Sequence, residues 1–158
     1  MGALLAFVVS FAVSLTFNIK GHKLVFAGFS GMIGSFVYSA ALRITGHANF
    51  AILIGATVVG LYSEIAARVL KAPATVFSIP GILPLVPGIA AYEMIRFLER
   101  NELTRTVRKL TETVSGAGAI AFGIMLVTAV FRFLAGTRKP EGKGVEKIKH
   151  QGNQAPGD

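Results

Sequence analysis

Val76-Phe-Ser-Ile-Pro-Gly-Ile-Leu-Pro-Leu-Val-Pro-Gly-Ile89 decides how this chain folds. Pro80, Pro84 and Pro87, with Gly81 and Gly88, fall within nine residues, midway along a stretch long enough to cross a bilayer. An interior proline has no amide hydrogen and clashes with the carbonyl one turn back, so three of them cannot share one regular helix. Hydrocarbon supplies no hydrogen bonds to the freed carbonyls, so such a break persists only where protein surrounds it or where it borders a wet cavity. Breaks of this kind near the midplane form cargo sites in secondary transporters.

Apolar runs extend outward from the break in both directions. Their lengths predict an all-α polytopic membrane protein with five transmembrane helices, at 1–19, 24–44, 48–70, 75–98 and 114–134. The fourth is discontinuous at the Pro/Gly-rich break. Residues 99–113 are polar, with Leu103, Val107 and Leu110 at helical spacing, which predicts a separate amphipathic helix lying on the interface. The first run carries its basic residues, Lys20 and Lys23, after the apolar stretch, which predicts a retained helix rather than a signal peptide. Thus 1–135 reads as one transmembrane domain and 136–158 as a disordered basic tail.

Composition agrees with a membrane domain: 53% of the 158 residues are hydrophobic and 15% charged. The net charge of +8 does not point to nucleic acid, because the basic residues lie in loops and the tail with no aromatic-interleaved face. If all five segments cross, ten basic residues share the side of Lys20 and Arg132 and six share that of Arg43, which predicts the N-terminus outside and the C-terminus cytoplasmic. A re-entrant fourth segment would narrow the tally to nine against seven. The chain has no cysteine, and His22, His47 and His150 lie far apart, so no metal site or cofactor is expected. No nucleophile triad, paired-carboxylate site or phosphate loop is legible, which argues against an enzyme.

The expected substrate-binding residues are Ser78, Pro80, Gly81, Pro84, Pro87, Gly88 and Ile89. With Thr75–Ile79 as one half-helix and Pro87 opening another, the amides of Gly88, Ile89 and Ala90 would offer a positive dipole end to a carboxylate. Carbonyls freed by Pro84 and Pro87 would accept from an ammonium or a hydroxyl. Glu64 and Arg68 form a second pair, either for proton coupling or as an i,i+4 ion pair, since an ionisable residue inside a span usually faces protein or water. The cargo is expected between the broken helix and the Glu64 stripe. Gly28, Gly31 and Gly34, and the pairs Ala51/Gly55 and Ala119/Gly123, predict close helix packing.

Three strings together, Ala27-Gly-Phe-Ser-Gly-Met-Ile-Gly34, Gly60-Leu-Tyr-Ser-Glu-Ile-Ala-Ala-Arg68 and Lys71-Ala-Pro-Ala-Thr-Val-Phe-Ser-Ile-Pro-Gly-Ile-Leu-Pro-Leu-Val-Pro-Gly88, resemble the C-terminal half of the threonine/serine exporter (ThrE-type) family. The likeness runs from about Leu4 to Phe133. It implies the small subunit of the split, two-subunit form, paired with a larger membrane subunit carrying the other half. It also implies proton-coupled export of threonine and serine, or of dicarboxylates such as succinate, across a bacterial inner membrane. The alternatives are a non-transporting scaffold, a channel-like subunit, or a carrier made of copies of this chain alone.

Overall fold

In the computed structural model, which describes residues 2–136, every regular element is helical. In order these are α1 (Gly2–Thr16), α2 (His22–Thr45), α3 (Ala48–Val69), α4 (Thr75–Ile82), a 3-10 turn (Leu83–Leu85), α5 (Gly88–Glu99) and α6 (Leu103–Gly136). The all-α expectation is met among these residues. Three helices, α2, α3 and α6, are long and apolar enough to cross a membrane. The pair formed by Thr75–Leu85 and Gly88–Glu99, bent by 49°, makes a fourth if it counts as one span. Five spans were expected. The difference lies in α1, whose 15 residues rise only about 22 Å against a core of about 30 Å. The chain leaves this helix through Asn18 and Gly21, both at positive φ, instead of continuing to Ile19.

A second difference concerns residues 99–113. A tight turn with Asn101 at φ 57 closes α5, and from Leu103 the chain enters α6 directly. The amphipathic stretch is therefore the first part of a continuous 34-residue helix, about 51 Å long, rather than a separate surface helix. The tail expected after Gly136 lies outside the described residues.

Small residues set how closely the helices approach. Gly31 of α2 leaves room only for Ser10 of α1, and Gly34 faces Val59 of α3 and Leu85 of the 3-10 turn. Gly123 of α6 lies so close to α3 that a Cβ there would be 3.0 Å from the Leu53 carbonyl. Without a hydrophobic force between helices in lipid, such close contact is what holds them together. Asn49 meets Ser115 at one end of the α3–α6 contact, and Arg68 meets Phe131 at the other, so these two helices run parallel. Their Asn49 end is joined by Tyr38 and the 3-10 turn. Their Arg68 end carries the α1–α2 and α3–α4 connections. One core cluster, around Ile52, Ala56, Leu85 and Ile120, packs beneath the break. A second, around Ala27, Ala66 and Phe77, fills the opposite end.

Candidate cargo site at the helix break

The break lies one turn later than the sequence suggested. α4 continues through Pro80 to Ile82, and the helix comes apart between Leu83 and Pro87. Pro84 has no amide for the Pro80 carbonyl. The Ser10 hydroxyl donates to that carbonyl instead, at 2.8 Å and fully buried. The Leu83 carbonyl, which Pro87 cannot serve, accepts from the Val86 amide at 3.3 Å. Both freed carbonyls are thus satisfied inside the protein and are not open to cargo.

Pro87 is the residue before α5 and not its first residue. With φ −75° and ψ 59° it closes a three-residue turn, in which the Gly88 amide donates to the Val86 carbonyl at 2.7 Å. Of the three amides expected to be open, Gly88 is therefore engaged. The Ile89 and Ala90 amides remain, because a helix offers its first amides no acceptor of its own.

Both residues border a cavity of about 300 Å³, at the small end of ligand sites. Of the residues proposed from the sequence to meet cargo, Pro84, Pro87, Gly88 and Ile89 line it. Three other expected residues do not. Pro80 and Gly81 are buried against α1 and α2, and Ser78 is half-buried on α4. Glu64 is also absent from the lining. It lies 15 positions along α3 from Asn49, about 22 Å away, on a stripe with Gly60 and Arg68 that meets α6. Nor do Glu64 and Arg68 form an ion pair. The Arg68 guanidinium stacks on Phe131 with its central carbon 4.4 Å from the ring centre, and among the described residues Glu64 has no partner. A weakly hydrated guanidinium gains from an aromatic face what the carboxylate would have offered.

The polar wall of the cavity was not foreseen. Glu93 of α5, Lys109 and Glu112 of α6, Asn49 of α3 and Tyr38 of α2 all reach it. The Lys109 ammonium contacts Glu93 and Glu112, each at 2.9 Å, and Asn49 donates to the Ser115 hydroxyl at 2.9 Å. The i,i+3 spacing of Lys109 and Glu112 was readable in the sequence. Glu93 gave no such signal, because the sequence does not show that α5 and the start of α6 lie side by side.

The sequence model described as threonine/serine exporter, ThrE, matches residues 2–130, most of the chain. The chain belongs to the threonine/serine exporter family. No curated protein and no solved structure matches it. Members of a threonine/serine exporter family are membrane transporters, which agrees with the apolar helices and with a multi-pass protein. Within this fold Ile89 and Ala90, which follow the break, share one small cavity with Lys109, Glu93 and Glu112.

Proposed function

We propose that this exporter moves small zwitterionic hydroxy amino acids, and that the cavity at the start of α5 holds them. The observation that carries the reading is the pairing of unlike groups in one small space. The Ile89 and Ala90 amides suit a carboxylate, and Lys109, on turning from Glu93 and Glu112 to that carboxylate, leaves both acids to accept an ammonium. Tyr38 and Asn49 supply partners for a cargo hydroxyl. One cation against two acids favours a zwitterion over a dicarboxylate such as succinate, which would meet Glu93 and Glu112 with like charge.

Glu64 is the group to which we assign the proton. An unpaired carboxylate within an apolar span is costly to keep unless an ion pathway uses it. It acts from the α3–α6 seam and not from the cavity. The chain works as one half of the exporter with a larger partner subunit, in a bacterial inner membrane, with its C-terminal end cytoplasmic.

Uptake of labelled threonine, serine and succinate into inverted vesicles, with and without the partner half, tests this. Threonine and serine should accumulate only when both halves and a proton gradient are present. Lys109→Gln should raise KM about tenfold or more, as expected for loss of a charge-assisted contact worth about 1.5–3 kcal/mol. Preference for succinate, or flux indifferent to Lys109→Gln, would remove the cargo assignment. Full transport by the partner alone would make this chain a scaffold, and transport by this chain alone would make it a homo-oligomeric carrier.

A further inference from the structure

The geometry points to a binding site for an anionic phospholipid on the outer side of the break, with one acyl chain in a groove along α6 and the phosphate on Arg132. The groove encloses about 630 Å³. Ile82 and Val86 form one wall, Ile124 and Met125 the other, and Arg132 closes one end. It extends along α6 from Ala117 to Arg132, about 22 Å, which exceeds the depth of one leaflet in a core of about 30 Å. Its walls are apolar except near Arg132, where Thr128 adds a hydroxyl.

Charge identifies the occupant. The ion pairs among the described residues join Glu93, Glu102, Arg105, Lys109 and Glu112, all at the opposite end of α6. Among the described residues Arg132 has no acidic partner. Arg68 stacks on the ring of Phe131, the preceding residue, and Lys20, Lys23 and Lys71 occupy the same end of the bundle, none with an acidic partner among the described residues. Thr128 is likewise unspent. Thr57, Thr106, Thr111 and Thr113 return their hydroxyls to the carbonyl four residues back, whereas Thr128 makes no such bond. A long apolar groove ending in an unpaired guanidinium and a spare hydroxyl matches an amphiphile with an anionic head. A free phosphate would not need the groove, and an apolar helix would not need the arginine. Juxtamembrane cations attract anionic lipids, and basic pockets between spans hold their head groups. The bound chain would rest on Val86 and Pro87, which also wall the cavity. The lipid would thereby brace the break.

The full chain, purified from an equimolar mixture of phosphatidylglycerol and phosphatidylcholine, should retain the anionic lipid in native mass spectrometry. Arg132→Gln should lower that preference about fivefold, the worth of one cation at an anionic surface. Met125→Trp, which fills the groove from an exposed position, should lower retention of both lipids. Arg43→Gln, an exposed cation at the other end, should change neither. Equal retention of the two lipids by the unaltered protein would overturn the assignment. So would a preference that survives both Arg132→Gln and Met125→Trp, since cations elsewhere, including those of residues 137–158, would then account for it.

Discussion

Ser10 lies 70 residues before Pro80 in the chain and supplies the hydrogen bond that Pro84 withholds. Its neighbour Ser30 is just as deeply buried, yet its hydroxyl has no partner among the described residues. The two serines should therefore respond in opposite ways. Ser10→Ala orphans a buried carbonyl and should cost about 1–3 kcal/mol, whereas Ser30→Ala removes an unsatisfied group and should be neutral or stabilising. Thermal unfolding of both variants in detergent checks this, and the reverse order would mean that Ser30 has a partner the fold does not reveal. The contrast also marks what could be read residue by residue. The proline spacing tells which carbonyls lose their donors. It cannot tell that a serine on α1 replaces one of them, because that depends on how α1 packs. Pro80 was for this reason expected to face cargo when it faces Ser10.

At the scale of the helices, the broken span and close packing of α2 and α3 were legible, because proline chemistry and glycine spacing are local properties. The parallel run of α3 and α6 and the side-by-side placement of α5 and early α6 were not, since both depend on contacts distant in sequence. Those contacts bring Glu93, Lys109 and Glu112 to the cavity. The α2–α4 contact offers a sharp test. A Cβ on Gly81 would overlap the Ser30 hydroxyl. Gly81→Ala should destabilise the protein, and adding Ser30→Ala should recover part of the loss, giving a coupling of about 0.5–3 kcal/mol. Additive effects would show that α4 shifts away instead. The break itself is a trade of stability for function. Pro84→Ala returns an amide to the Pro80 carbonyl and lets α4 continue, so the melting temperature should rise while amino-acid efflux falls. Efflux unchanged in this variant would show that the cavity does not need the unwound turn.

Across the whole molecule the two ends differ in kind. Near Arg43, the α5–α6 hairpin mixes acids with bases and ties Glu93, Lys109 and Glu112 into one cluster. The other end presents Lys20, Lys23, Arg68, Lys71 and Arg132, none of them in an ion pair among the described residues. Basic residues close to span ends stay on the cytoplasmic side, and acids count for little in that rule. Counted with the basic residues after Gly136, this end carries ten basic residues against six at the other, which supports the proposed orientation with the α5–α6 hairpin outside. At about 51 Å, α6 exceeds the core by roughly 20 Å, enough for its charged first turns to stand clear of the hydrocarbon. The cysteine-free sequence makes the orientation directly measurable, since any introduced thiol is unique. In intact cells, a membrane-impermeant thiol reagent should label Arg100→Cys in the turn after α5 and spare Lys71→Cys after α3. Inverted vesicles should show the opposite pattern. Labelling of Lys71→Cys from outside would reverse the bundle, and labelling of both positions from one side would mean that the bent α4–α5 pair returns to the face it entered from.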